Sequence, residues 1–132
     1  MEILDTILGT NEYTVEENKL RIIQEMVPGN QVSLAHIIAN PVKQIYERIG
    51  IDKDILYTQN AIGIMSVTPP EVSIIAADMS TKISSVQLGS VDRFNGTIII
   101  IGSISDVETA FIGVCDYLKN TLKFEITPIT KT

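Results

Sequence analysis

Apolar positions along this chain recur with two different periods, and the changes between them mark out the elements. Arg21 to Val27 alternates loosely and meets Pro28-Gly29-Asn30, a turn signal. Gln31 to Ala39 reads as a strand, with Val32, Leu34, His36 and Ile38 on one face. Asn40-Pro41 then predicts a helix start, Asn40 as N-cap and Pro41 at the first helical position. Val42, Ile45, Tyr46 and Ile49 form its apolar stripe, and Gly50 ends it. Residues 51–60 show no clear period and are expected to form a loop.

From Ala61 the signals sharpen. Ala61 to Thr68 reads as a strand, and Thr68-Pro69-Pro70-Glu71 as a capping box whose prolines fill positions where an N–H would be unpaired anyway. Val72, Ile75, Ala76, Met79 and Ile83 supply the buried stripe of the helix that follows. Ser85 to Phe94 is the next strand, Asn95-Gly96 is a two-residue hairpin signal, and Thr97 to Ser103 is the return strand. Four consecutive isoleucines predict that this return strand is covered on both faces. Ser105-Asp106-Val107-Glu108 is a second capping box, opening a helix with Val107, Ala110, Phe111, Val114 and Leu118 inward. Leu122 to Ile129 is the last strand. The order from Ala61 is β-α-β-β-α-β, a ferredoxin-like α/β (α+β) arrangement, with the strand and helix of residues 31–50 added in front.

Composition narrows the class. A chain of 132 residues supports one domain with a real core, since chains near that size bury roughly 68–70% of their unfolded surface. Ten Lys+Arg against 16 Asp+Glu give a net charge of -6, which argues against a nucleic-acid partner. A lone Cys115 excludes an intrachain disulfide framework and suits a reducing compartment. No basic start with an apolar run marks a secretory signal, and the run from Thr97 to Ile101 is far short of the ~20 residues that span a bilayer. The chain is therefore expected to be intracellular, with no membrane partner.

Charge also divides the chain. Residues 1–20 carry Glu2, Asp5, Glu12, Glu16 and Glu17 against Lys19, so they read as an acidic leader on a nearly neutral domain of residues 21–132. Within the leader, Ile3, Leu4, Ile7 and Leu8 fall at helical spacing before Gly9. That pattern fits either a frayed tail or a short docking helix, which is marginal alone in water. With 23 isoleucines among the 132 residues and few charges beyond the leader, the chain is expected to bury surface by self-association.

Candidate chemistry is sparse. A catalytic site needs a nucleophile with a base, paired carboxylates or metal ligands, and the chain has one His and one Cys. His36, on the inward strand face, reads as a hydrogen-bonded core residue, and Cys115, beside inward Val114, as a small packing residue. One His and one Cys do not make a zinc set, and no glycine-rich loop has phosphate spacing, so neither metal nor cofactor is expected. Asp78 and Lys82, four apart on a helix, can pair on its exposed face.

Several stretches carry a specific likeness. Ile23-Gln-Glu-Met-Val-Pro-Gly29, Gln31-Val-Ser-Leu-Ala-His-Ile-Ile-Ala-Asn-Pro41, Ala61-Ile-Gly-Ile-Met65 and Asp92-Arg-Phe-Asn-Gly96 closely resemble bacterial microcompartment (BMC) shell proteins. The chain is similar to their circularly permuted hexameric type, found in ethanolamine-, propanediol- and choline-utilisation compartments. The likeness runs from about Arg21 to the end of the chain. In the unpermuted domain the Ala-Ile-Gly strand comes first and the His-containing strand near the end; here Val32 to Pro41 precedes Ala61.

The resemblance implies a non-catalytic subunit whose flat hexamers tile with other shell proteins around encapsulated enzymes. Ala76-Ala-Asp-Met-Ser-Thr-Lys82 is similar to the family's edge motif, which places Lys82 at the seam between hexamers. The unpermuted family has an Arg before the seam proline, whereas Asn40 precedes Pro41 here, so the seam hydrogen bonds differ. Asp92, Arg93, Phe94, Asn95 and Gly96 correspond to the loop around the six-fold pore. Arg21, Ile22, Ile23, Gln24, Glu25, Met26 and Val27 correspond to a strand that, with five copies, forms a small β-barrel capping that pore. The leader would emerge there, and its short amphipathic start resembles the peptides by which cargo enzymes dock to shells. On the residues alone, two other classes stay open: a small oligomeric ligand-binding or regulatory domain of ferredoxin-like fold, and an enzyme using His36 or Cys115.

Overall fold

Residues 29–51 and 61–132 are described in the computed structural model; the leader, the expected barrel strand Arg21 to Val27 and most of the loop after Ile51 lie outside them. The described elements are β1 (Gln31–Ala39), α1 (Lys43–Arg48), β2 (Ala61–Thr68), α2 (Val72–Ile83), β3 (Gln87–Asp92), β4 (Thr97–Gly102), α3 (Ile104–Asn120), β5 (Glu125–Ile126) and β6 (Thr130–Lys131). One sheet runs in the order β3-β4-β2-β1-β5, with β6 also pairing with β1. β2, α2, β3, β4, α3 and β5 make the expected β-α-β-β-α-β unit. β1, which precedes it in sequence, sits between its first strand and its last, antiparallel to β2 and parallel to β5 and β6.

The isoleucine run behaves as expected. Ile98 and Ile100 face α2 and α3 in the main cluster, while Ile101 joins Tyr46, Ile51 and Ile62 on the other face, where Ile38, Ile64 and Ile99 pack against them. All five inward residues predicted for α3 are fully buried. Gly63 admits that helix closely: a Cβ there would lie 2.7 Å from Val107 and 2.8 Å from Phe111.

Several local expectations are corrected. In β1, the register to β2 slips between Val32 and Leu34, so that Ser33 is an extra residue. The slip puts Val32 in the main core with Ala35 and Ile37, and leaves Leu34, His36 and Ile38 on the opposite face. Strict alternation across a bulge assigns one residue to the wrong side.

Asn40 does not cap α1. It takes a left-handed φ of 53° to turn the chain out of β1, and the helix begins only at Lys43, after Val42. Of the predicted stripe only Tyr46 is buried; Val42, Ile45 and Ile49 are exposed. The stop is as read: Gly50, at φ 80°, donates to Glu47 O, and Ile51 N–H donates to Tyr46 O, a Schellman ending whose apolar contact is Tyr46 with Ile51.

The Thr68–Glu71 capping box does not form. α2 has no side-chain cap, and Val72, Ser73 and Ile74 instead donate to the carbonyls of Pro69, Pro70 and Glu71. The face of α2 laid on the protein is Ser73, Ala76, Ala77 and Ser80, while Ile75 and Ile83 are exposed and Val72 and Met79 only border the core. Small side chains let the helix approach closely, which hydrophobicity alone does not reveal.

α3 is capped two residues earlier than expected, by Ser103 rather than Ser105, with Ser103 Oγ accepting from Asp106 N–H at 3.1 Å. The last strand is two short pieces, β5 and β6, rather than Leu122 to Ile129, and the third strand is shorter than Ser85 to Phe94.

Candidate functional site

The loop between β3 and β4 is built by one carboxylate. Asp92 Oδ1 accepts from the N–H groups of Phe94 and Asn95, each at 3.0 Å, and Oδ2 accepts from Asn95 Nδ2 at 2.8 Å. Gly96 closes the turn by donating to Asp92 O at 2.7 Å, and its own carbonyl accepts from Val67 N–H at 2.8 Å. The turn is therefore four residues, Arg93 to Gly96, and not the two-residue Asn95-Gly96 hairpin that the sequence suggested; an aspartate satisfying successive N–H groups favours this wider turn. Gly96 sits at φ 81°, and a Cβ there would overlap the Val67 carbonyl oxygen and lie 2.9 Å from Pro70 Cα. Asn95, then Phe94, hold the Asp92 carboxyl below the usual aspartate range, because each hydrogen bond favours the charged form.

This frame projects two side chains. Phe94 is 76% exposed, and the Arg93 guanidinium lies over its ring, 4.7 Å from the centroid. Asp92 to Gly96 thus form one compact, anchored tip presenting a cation and an aromatic face.

Lys82, Asn40 and Pro41, the residues expected at an edge, lie toward one end of the sheet. α2 returns from the Thr68 end of β2 toward the start of β3, so Lys82 finishes near the end where Ala39 pairs with Ala61 and Ala61 with Gly102. Asn40 and Pro41 follow directly on Ala39. Lys82 Nζ is 2.8 Å from Asp78 Oδ2, the i,i+4 pair read from the sequence. Among the described residues no hydrogen bond or ion pair joins Lys82 to Asn40.

Neither candidate nucleophile is placed for chemistry. His36 is half-buried; Nδ1 bonds Thr130 Oγ1 at 2.6 Å and Nε2 bonds Thr132 Oγ1 at 2.9 Å. Both ring nitrogens are thereby committed to holding the chain's end against β1. A last strand that stops at Ile129 leaves these threonines out; their alternation around Lys131 is the signal that marks them. Cys115 is buried in α3, and burial, then the Asp116 charge, pushes its thiol up to about 11, far from thiolate at neutral pH. Among the described residues no group of three His, Cys, Asp or Glu could hold a metal, and no helix is long and apolar enough to cross a membrane.

Known proteins share this arrangement. Residues 61–129 match the family described as the BMC domain. The bacterial microcompartment shell protein CutR of Streptococcus intermedius is 45% identical over 85% of this chain and 92% of its own. A solved CutR flat hexamer (form 1) superposes with a TM-score of 0.73 at 44% identity, covering 85% of this chain and 99% of that one. A CutR screw form with a 41.9 Å pitch gives 0.72 at 41% identity, covering 80% and 100%.

Proposed function

The chain belongs to the BMC-domain family of bacterial microcompartment shell proteins, and on that basis we propose that it is a structural, non-catalytic subunit of such a shell. Copies of it close into six-membered rings that tile the coat around encapsulated enzymes. The observation that carries this reading is β1 between β2 and β5. The matched segment 61–129 lacks the strand that joins its first and last strands, and the chain supplies that strand from in front. The whole sheet is then the family's domain with its segments in permuted order.

Within the ring, Asp92 to Gly96 serve as the loop around the six-fold axis. The support is the exposure of the tip and its rigidity: an anchored turn holds Arg93 and Phe94 in one place, as six converging copies require. Arg21 to Val27 contribute one strand each to a barrel over that axis, which closes it to free passage of metabolites. Lys82, with Asn40 and Pro41, lies at the seam between rings. The acidic leader, residues 1–20, emerges on the barrel face and docks cargo or another shell protein through Ile3, Leu4, Ile7 and Leu8.

The test is to express the chain with the other shell proteins and the cargo of such a compartment, purify the particles, and strip the cargo. The chain is expected in the coat fraction. Recovery only among released soluble proteins contradicts the reading. Deleting residues 1–20 is expected to leave coat incorporation intact and to reduce recruitment of the leader's partner.

A further inference from the structure

We propose that Asn95-Gly96, at the β3–β4 tip, is a latent deamidation site and that Asp92 is the residue that keeps it latent. Loss of the Asn95 amide is then a one-way modification that unlocks the tip. The inference stands on the geometry of the single chain and does not depend on where the tip lies in a ring.

The chemistry needs only the chain and water. The Gly96 backbone nitrogen gives its proton to solvent and attacks Asn95 Cγ. The new N–Cγ bond closes a succinimide as the Cγ–Nδ2 bond breaks and the amide leaves as ammonia. Water then opens the succinimide to aspartate or isoaspartate. Of the chain's asparagines only Asn95 precedes a glycine, and a following residue without a Cβ leaves its nitrogen open to this attack. Asn95 is exposed, so water reaches it.

The fold restrains both reacting groups. The nucleophile is occupied, because Gly96 N–H donates to Asp92 O at 2.7 Å. The leaving group is occupied too: Asn95 Nδ2 donates to Asp92 Oδ2 at 2.8 Å, and Asn95 N–H to Oδ1 at 3.0 Å. Gly96 has little room to shift, since its carbonyl is held by Val67 N–H at 2.8 Å. One residue therefore holds the attacking nitrogen through its carbonyl and the departing nitrogen through its carboxylate. The product cannot restore this arrangement. A carboxylate at position 95 has no side-chain N–H to give, and it sets like charge against Asp92 where a hydrogen bond stood.

The experiment follows deamidation at Asn95 in the full chain, by peptide mass mapping and isoaspartate assay, in warm, mildly alkaline buffer with and without guanidinium. The folded parent should react roughly tenfold more slowly than the denatured one, since one hydrogen bond to a charged acceptor is worth about that factor. Equal rates overturn the proposal. Folded Asp92→Ala should react several-fold faster than the folded parent, and a rate no higher overturns the role of Asp92. If Asp92→Ala does not fold, Asp92→Asn decides by the same criterion, because it keeps one oxygen for the three donors that the carboxylate serves. Asn95→Asp stands for the product. It should unfold at lower guanidinium concentration than the parent at neutral pH, with the gap closing in acid as the carboxylates protonate. No gap at neutral pH overturns the one-way unlocking.

Discussion

Asp92 and Asn95 lock the β3–β4 tip together: one carboxylate takes both the backbone N–H and the side-chain amide of Asn95, at 3.0 and 2.8 Å. The bonds are local, so their effect is to fix a turn that strand pairing alone would leave to choose among several shapes. An anchored tip is also what places Arg93 and Phe94 reproducibly.

Those bonds set the sign of a pH effect. The folded Asp92 carboxyl titrates below its ordinary value of about 3.9. Its contribution is therefore present above the unfolded value and is lost as pH falls through the lower, folded one. Thermal unfolding from neutral into acid pH should show Asp92→Ala less stable than the parent at neutrality, with the difference shrinking in acid. A difference that is constant across the range contradicts the assignment.

Two glycines at nearly the same φ should respond differently to alanine. Gly29, at φ 83°, has open space within 4 Å of where a Cβ would stand, whereas Gly96, at 81°, faces the Val67 carbonyl and Pro70. Gly29→Ala should cost about 1 kcal/mol for the left-handed backbone alone, and Gly96→Ala about 1–3 kcal/mol more for the forced shift. Urea unfolding of the two variants measures both.

His36→Ala should cost about 1–3 kcal/mol, for two hydrogen bonds to Thr130 and Thr132 that hold β6 on β1. Amide exchange should quicken at Thr132 N–H, which donates to Ile37 O, more than in α3. Equal protection at both places contradicts this role for the imidazole.

Cys115 should resist alkylation in the folded chain at pH 8, since a thiol pushed up to about 11 is almost wholly protonated and buried. Modification should proceed only in denaturant. Rapid modification of the native protein contradicts the packing role.

Long-period features are legible in the sequence and short-range ones are not. Ile98 to Ile101, the inward face of α3 and the Gly50 stop each rest on a repeated or unambiguous signal, and each stands in the structure. Alternation puts Val32 and Leu34 on one face because a bulge at Ser33 shifts parity without changing the residue pattern. Asn40 and Thr68 are good capping residues in isolation, but tertiary pairing of β1 and the two prolines set the chain direction first. Hydrophobicity alone turns Ile75 and Ile83 inward, whereas Ser73, Ala76, Ala77 and Ser80 offer closer packing. At the candidate site, the loop residues and the Asp78–Lys82 pair are readable; the anchoring by Asp92 is not, because it depends on the turn being four residues long.

Ring closure is the central claim, and mass by light scattering with negative-stain imaging, at low and high concentration, tests it most directly. A species of six subunits, disc-shaped and forming sheets or tubes when concentrated, is the predicted result. A monomer, dimer or trimer that never assembles, or an open helical filament in place of discs, contradicts it.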